Sequence, residues 1–409
     1  MHPMAAVDAQ FYWMSAKVPN DEFLLYAFDG APADLGDVFE QIRRRARACP
    51  DLAVRVADDC PARYPRWVPT DVGPGCVVRR DLAATGWDGC LAAVAGLAEG
   101  QLDARRLPWQ LHVFTPVHGV PCTSGPGTVA VLQVAHALGD GVRASAMAAR
   151  LFGRPSPVPA AVPSRAGRLP RRAVAAARAH RRFVADTEAG RVPAPLGTRP
   201  PLPTNTRPEC VRAVRTLVRD RSQLCGPTVT VAVLAAVGSA LRELFGDSAD
   251  TLGAEVPMTK PGVRQANNHF ANAVVGLYPG DADRLRRIET DLANARRRLA
   301  HPAGRAADQA FAAMPAALLR WGVSRFDTDV RPVQVAGNTV VSSVHRGPAD
   351  LRFGGAPVVL TCGYPALSPA MGLTHGVHGI GDTVAISVHA AESALPDPNA
   401  YVRLLDAAL

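Results

Sequence analysis

Between Asp21 and Asp140, strand-like and helix-like segments alternate, and this alternation constrains the fold more than any other feature of the chain. Residues 23–28 (Phe-Leu-Leu-Tyr-Ala-Phe) read as a strand that stops at the turn pair Asp29-Gly30. A helix is expected from Ala33 or Asp34 to about Ala48, because Leu35, Val38, Phe39 and Ile42 fall on one face at helical spacing. Short strands follow at residues 52–56 and 76–78, a second helix at 88–99, and two more strands at 109–114 and 129–134. Elements of both periods in alternation argue for α/β layers, with helices covering a sheet.

At Phe152 the pattern breaks, and ten prolines between Pro155 and Pro203 mark a boundary between two halves. The expected organisation is an N-terminal half over residues 1–152, a Pro/Arg-rich crossover over 153–207 and a C-terminal half over 208–409. Within the crossover, residues 168–184 are dense in Arg and Ala, with His180, Phe183 and Val184. The apolar face there is mostly alanine, so a solvated linker helix is expected rather than a membrane-lying one. The second half offers strands at 210–218, 252–256, 273–277, 333–341, 358–360 and 384–388. Its helices are expected at 228–245, ended by Gly246-Asp247, and at 281–298.

Composition excludes several classes. Hydrophobic residues at 48% against 20% charged give ample material for a core, so disorder is not expected. Net charge is +9, and all but two of the 45 basic residues are arginine, the exceptions being Lys17 and Lys260. That excess favours anionic partners. With 6% aromatics, dispersed arginines and no recognition-helix signature, nucleic acid is not expected as a partner. The eight cysteines form no C-x-x-C pair and read as reduced structural thiols. His345, His375 and His378 lack a matching carboxylate or cysteine pattern, so no metal is expected. The first 23 residues carry Asp8, Asp21 and Glu22 and do not read as a signal peptide. The uncharged stretch 222–241 contains Gln223, Gly226, Pro227, Thr228, Thr230, Gly238 and Ser239, and its truly apolar part is too short to span a bilayer. A cytoplasmic protein is expected.

The chemistry concentrates in residues 127–147. A buried-strand run, Thr128-Val129-Ala130-Val131-Leu132-Gln133-Val134, leads into Ala135-His136; a turn over Ala137-Leu138-Gly139-Asp140-Gly141 precedes a helix over 142–150. Gly141 is expected to supply a backbone conformation that other residues resist. A histidine at a strand end projects readily into a cleft, and an imidazole titrating near neutrality can take a proton from an alcohol and return it to a leaving group. Asp140 is placed to orient that imidazole or to enter an internal ion pair with an arginine. Trp109, Asn268 and Asn272 are candidate cleft-lining residues, with plain core or turn roles as the alternatives. Arg143 and Arg150 are candidates for phosphate contacts.

Several segments, in order, resemble the bacterial wax ester synthase/diacylglycerol acyltransferase family, part of the CoA-dependent acyltransferase superfamily. Ala135-His136-Ala137-Leu138-Gly139-Asp140-Gly141 is similar to its His-His-x-x-x-Asp-Gly hallmark, and Leu107-Pro108-Trp109-Gln110-Leu111-His112 to its Pro-Leu-Trp-Glu-Leu-His segment. Val256-Pro257-Met258-Thr259 with Asn267-Asn268-His269-Phe270-Ala271-Asn272 resembles its Pro-Val-Ser and Gly-Asn segments. Residues 340–348 resemble its Ser-Asn-Val-Pro-Gly-Pro strand, and Val7-Asp8-Ala9-Gln10-Phe11 and Pro396-Asp397-Pro398 fit its ends.

The resemblance implies two similar chloramphenicol-acetyltransferase-like α/β halves around a central substrate tunnel. It implies an O-acyltransferase that moves a long-chain acyl group from acyl-CoA to a diacylglycerol or fatty alcohol, with His136 as general base and no covalent intermediate. Acyl-CoA is then a substrate, no separate cofactor is needed, and peripheral contact with an anionic membrane or lipid-droplet surface is allowed. Asp140 carries over as the motif aspartate that pairs with an arginine, Gly141 and Ala135 as motif positions, and Ser343 as a substrate-side residue. Three positions depart from the family pattern: Ala135 for the first histidine, Thr230-Val231 for an Asn-Asp pair, and Ser343 for the asparagine of Ser-Asn-Val. These departures keep open a catalytically weakened relative that binds lipid or acyl-CoA.

Overall fold

In the computed structural model, residues 2–162, 167–209, 211–246 and 251–409 are described, so Cys210 and Asp247 of the sequence reading lie outside the described residues. The first part of the chain runs through β1 (His2–Pro3), α1 (Ala6–Met14), β2 (Glu22–Phe28), α2 (Leu35–Arg47), β3 (Val54–Ala57) and β4 (Arg66–Pro69). It continues with β5 (Val77–Arg79), α3 (Trp87–Leu97), β6 (Trp109–Val117), β7 (Gly127–Val134) and α4 (Gly141–Leu151). After the crossover helix α5 (Leu169–Glu188) come β8 (Arg212–Asp220), α6 (Val229–Phe245), β9 (Gly253–Thr259), β10 (Phe270–Gly276) and α7 (Arg284–Leu299). Then follow α8 (Pro302–Ala312), α9 (Ala316–Ser324), β11 (Thr339–His345), β12 (Arg352–Phe353) and β13 (Ala356–Gly363). The chain ends with β14 (Leu373–Ile380), β15 (Thr383–Ala391) and α10 (Pro398–Ala408).

Two mixed six-stranded sheets dominate, ordered β12-β13-β2-β7-β6-β5 and β10-β9-β11-β14-β15-β8. In the first, all eight residues of β7 are buried, as befits a central strand covered on both faces. Beside it, Leu24, Tyr26 and Phe28 of β2 enter a core with α1, α2 and α4, while Phe23, Leu25 and Ala27 enter one with α3 on the opposite face. This is the period-two alternation of a strand, with apolar side chains in both sets. The α3-side core also takes in Val214 and Ala385 of the second sheet, so the halves share an apolar interior. The second sheet packs its other face on α6, α7 and α10.

The unit expected at 208–409 is not self-contained. β12 and β13 join the first sheet, β13 pairing antiparallel with β2. Side chains of α9 (Ala316, Leu319, Val323) enter the first core as well. Where the sheets meet, Gly376 of β14 lies so close to the Gly363 carbonyl of β13 that any Cβ there would clash with it.

Helix α6 is capped by Thr228, whose hydroxyl accepts from Val231 N at 3.2 Å, and ten of its residues are buried. It is an internal helix, and among the described residues no helix is long and apolar enough to cross a membrane. Helix α5 has no buried residue and touches α8 through Arg172 to Gln309 at 2.6 Å and through the Phe183 and His301 rings, 4.9 Å apart.

The strand expected at 333–341 begins only at Thr339. β14 was hidden in the sequence because its Thr374, His375, Gly376, His378 and Gly379 break any apolar run, yet every residue of it is buried. His375 is satisfied internally by Thr339 Oγ1 at 2.9 Å and Tyr401 OH at 2.7 Å, and no metal-holding cluster occurs among the described residues.

Candidate active site

After Val134 the chain turns at once. Ala135 leads a single 3-10 turn over His136–Leu138, Gly139 is extended, and the Asp140 carboxylate caps α4 by accepting from Arg143 N at 3.2 Å. The glycine the turn cannot replace is Gly139, where a Cβ would stand 2.7 Å from Arg143 Cβ. Gly141, expected to need an unusual backbone conformation, does not have a positive φ, and a Cβ there would meet Val344 at an ordinary 3.7 Å.

The His136 imidazole stacks on Phe11 of α1, 4.1 Å away at 14°, and Phe270 of β10 lies 5.9 Å from it at 21° and 6.1 Å from Phe11, so the three rings form a cluster. Its Nε2 faces Glu22 Oε1 at 3.8 Å, beyond hydrogen-bond reach. Burial pushes its pKa below the ordinary 6.5, opposed by its own backbone carbonyl, the Asp140 charge and Asn268. A ring held neutral with Nε2 unengaged is a proton acceptor at neutral pH.

Two carboxylates anchor this turn from below. Asp140 Oδ2 accepts from Arg264 Nη1 at 2.8 Å and from His269 N at 2.9 Å, and both partners of the ion pair are nearly buried. With Oδ1 on the helix cap, the carboxylate is spent on holding the loop that carries Arg264 to His269 against the turn, and it makes no hydrogen bond to the imidazole. Asp8 of α1 accepts from Asn267 N, Asn268 N and Asn268 Nδ2, each at 2.9 Å. Asn268 Nδ2 also donates to the His136 carbonyl at 2.8 Å. Burial raises Asp8 to about 6 despite these hydrogen bonds. The chain Asp8–Asn268–His136 carbonyl therefore fixes the imidazole's position from two remote segments.

Glu22, the first residue of β2, pairs in register with Val134, two residues before His136. Its Oε2 is sealed from solvent with no hydrogen-bond partner. Burial lifts its carboxyl well above the usual range, Asp140 adds to the shift and Arg346 opposes it. From outside, His136 is approached by a narrow cleft, about 10 Å³ in volume, whose lining includes Phe11, Tyr12, Gln101, Leu102 and Ala135.

Other sequence candidates fall elsewhere. Trp109 is a core residue, 1% exposed, with Nε1 donating to Leu52 O at 2.8 Å. Asn272 projects outward on β10 to Glu255 Oε2 at 3.0 Å, away from the turn. Ser343 Oγ and Thr230 Oγ1 bond to each other at 2.9 Å, so two of the three departures from the family pattern interlock. Ala135 is buried at the head of the turn. Arg143 is buried on Asp51 at 2.6 Å and on the Leu138 and Pro159 carbonyls, so it has no free face for a phosphate. Arg150 donates to Pro155 O at 2.8 Å.

Sequence reasoning missed Asp8, Phe11, Glu22, Arg264 and Phe270 as members of the site. One signal was available: Asp8 is a lone acid inside an apolar run, where a charge needs a reason. Nothing local marks the two phenylalanines or Arg264, which reach His136 and Asp140 only through the tertiary fold.

The family description "Wax ester synthase/diacylglycerol acyltransferase catalytic domain" matches residues 4–259, and "WS/DGAT C-terminal domain" matches residues 268–409. Comparison with curated protein sequences finds no match. Among solved structures, the fold is similar to the wax ester synthase/diacylglycerol acyltransferase from Marinobacter aquaeolei VT8, with TM-score 0.64, 19% identity, and coverage of 99% of this chain and 97% of that one. It is similar to the first condensation domain of the CDA synthetase, with TM-score 0.61, 16% identity, and coverage of 99% and 95%. A variant starter condensation domain of the rhizomide synthetase RzmA, in complex with C8-CoA and Leu-SNAC, matches with TM-score 0.60, 13% identity, and coverage of 100% and 93%.

Proposed function

The chain belongs to the wax ester synthase/diacylglycerol acyltransferase family, and on that premise we propose that it is an O-acyltransferase moving a long-chain acyl group from acyl-CoA to a lipid hydroxyl, a diacylglycerol or a fatty alcohol. The observation that carries this reading is the neutral His136 imidazole, fixed at the end of β7 with Nε2 unengaged.

In this mechanism the acceptor hydroxyl gives its proton to Nε2 as its oxygen attacks the thioester carbonyl. The tetrahedral intermediate collapses with cleavage of the C–S bond, and the imidazolium returns the proton to the CoA thiolate. The products are an ester and free CoA, with no acyl-enzyme. The Asp8–Asn268 chain and the Asp140–Arg264 ion pair hold the base at its post, which is how positioning enters the rate. The donor reading draws support from the C8-CoA bound in the similar condensation-domain structure. A tunnel between the halves, with donor and acceptor entering from different sides, is part of the same proposal. The cavity beside His136, about 10 Å³, is far smaller than the roughly 300–1,000 Å³ of typical small-molecule sites, so the proposal includes an opening of this cleft to admit substrate.

The Thr230–Ser343 pair and Ala135, which stand where the family carries other groups, favour a second reading, a weakened relative that binds lipid or acyl-CoA without efficient turnover. One assay separates the two. Purified protein is given long-chain acyl-CoA with a panel of alcohols and diacylglycerols, and CoA release and ester are measured for wild type and His136→Ala. Loss of roughly 10²–10⁴ in kcat in the variant is expected for a general base. Equal rates in the two proteins refute the mechanism, and ligand binding without turnover by wild type establishes the second reading.

A further inference from the structure

The formal charge of the chain is concentrated on one surface. Residues 168–191 and 296–305 carry eleven arginines against two acids, Asp186 and Glu188, a net +9 that equals the formal charge of all 409 residues. The rest of the chain is therefore neutral. Folding brings the two stretches together. Arg298, in the last turn of α7, lies over the Phe183 ring of α5 at 4.9 Å and donates to Pro193 O at 2.6 Å. His301, which caps α8, reaches Asp186 of α5 at 3.2 Å, and Arg172 of α5 donates to Gln309 of α8 at 2.6 Å.

We infer that this surface docks on an anionic phospholipid membrane and, on the acyl-transfer reading, brings the site to its lipid substrate. The seam between α5 and α8 leaves the arginines outward. Arg172, Ala176, Ala179 and Phe183 recur at helical spacing and are half-buried on the α8 side. The alanine face that argued for a solvated linker is thus occupied by packing. Arg171, Val174, Arg178 and Arg181 recur on the face away from α8 and are exposed, as is Arg182 beside them. Across the seam, Arg305 falls between His301 and Gln309 at i,i+4 spacing and is exposed too. Nine of the eleven arginines are exposed. Asp186 is already bound to Arg191 at 2.6 Å, and the next acid along α8, Asp308, is held by Lys260 at 2.7 Å, so the surface is poorly neutralised from within.

A phospholipid surface fits this pattern better than other polyanions. The 20 residues of α5 make a rod about 30 Å long, so its arginines lie along a line that spans several headgroups. Each basic residue beside an anionic leaflet adds to the attraction. Val174 and Val184, 51% and 40% exposed, stand among the arginines, as suits a helix lying where headgroups meet acyl chains. Single-stranded nucleic acid is held by aromatic stacking besides charge, and the phenylalanine of α5, Phe183, is covered by Arg298 and His301. Helix α8 joins this surface to the site, because it also meets α1, whose Phe11 stacks on His136.

The test mixes the full chain with phosphatidylcholine vesicles, with and without phosphatidylglycerol, and measures co-sedimentation at low and high salt. Wild type is expected to bind the phosphatidylglycerol vesicles, to bind phosphatidylcholine alone about tenfold more weakly or less, and to be released by salt. The quadruple variant Arg171→Gln, Arg178→Gln, Arg181→Gln, Arg182→Gln should lose about a hundredfold or more in affinity. A control that removes the same charge from exposed arginines elsewhere (Arg44→Gln, Arg63→Gln, Arg79→Gln, Arg331→Gln) should lose less than about tenfold. Thermal melts of both variants should match wild type, since every altered side chain is exposed. Equal binding to the two kinds of vesicle, equal losses in the two variants, or binding to a DNA duplex with none to vesicles overturns the surface. With acyl-CoA present, the α5 variant should lose rate on diacylglycerol held in phosphatidylglycerol vesicles and keep it on a soluble short-chain alcohol. If wild type acylates both acceptors without binding vesicles, acyl transfer stands and the surface falls. If it binds vesicles as expected and acylates neither, the surface stands and acyl transfer falls.

Discussion

Replacing Asp140 by alanine removes three hydrogen bonds at once: the cap on Arg143 N, the ion pair with Arg264 and the bond from His269 N. The ion pair is desolvated, with side-chain exposures of 7% for Asp140 and 9% for Arg264. Stranding one member of a buried pair costs about 3–5 kcal/mol, and losing a helix cap adds about 1 kcal/mol. The expected loss for Asp140→Ala is therefore about 4 kcal/mol or more. If the carboxylate acts on Arg264 rather than on the imidazole, Arg264→Met in the Asp140→Ala background should recover part of that loss, giving a coupling energy of about 2 kcal/mol. Urea unfolding followed by tryptophan fluorescence on wild type, both single variants and the double variant measures it. Additive losses with no coupling would refute the argument. So would an Asp140→Ala protein of wild-type stability that has lost activity, because that result would put the carboxylate's role on His136.

The same geometry gives four further expectations. Because burial lowers the His136 pKa and the base must be unprotonated, kcat/KM should be flat above neutrality and fall on an acid limb with its midpoint below about 6.5; a midpoint above 7 would contradict this. His375 is depressed to about 3 in the fold, so between about 6.5 and 3 the unfolded chain binds the extra proton and stability falls as pH falls. His375→Gln should remove about 1.4 kcal/mol per pH unit from that slope between pH 6 and 4 in urea titrations, while Asp8 and Asp21, raised to about 6, act with the opposite sign in both proteins. Gly139→Ala should cost about 1–3 kcal/mol through contact with Arg143 and displace the His136 turn, with Gly141→Ala affecting stability much less in the same melts. Asn268→Ala should lose about 1–3 kcal/mol and lower kcat, because it strips Asp8 and the His136 carbonyl of a donor; Asn272→Ala should stay within about 0.5 kcal/mol and keep full activity.

The elements with strong local patterns were legible in advance. β2, α2, β7 and α6 announce themselves by apolar periodicity and capping residues such as Asp34 and Thr228, which accept from Asp37 N at 3.1 Å and Val231 N at 3.2 Å. β14 was not legible, because its burial comes from strands on either side rather than from its own apolarity. The strand–His136–turn–α4 segment was also readable, since sequence neighbours fix it. Its inner glycine was misassigned: Gly139 is demanded by the approach of the Arg143 side chain, a packing fact rather than a turn preference.

What the sequence determined by itself is the layered α/β class and the presence of a histidine at a strand end, because both depend on periodicities and residues within a few positions of each other. The tertiary structure alone decided what surrounds that histidine. Phe11, Glu22, Arg264, Asn268 and Phe270 come from four separate segments. They converge because β2 pairs with β7 and the loop carrying Arg264 and Asn268 docks on α1 through Asp8. Such contacts rest on desolvation and long-range hydrogen bonds, which no local spacing encodes. Of the two roles the sequence left open for Asp140, they select the ion pair with an arginine over the orienter of the base, and they bring Glu22 to 3.8 Å from Nε2.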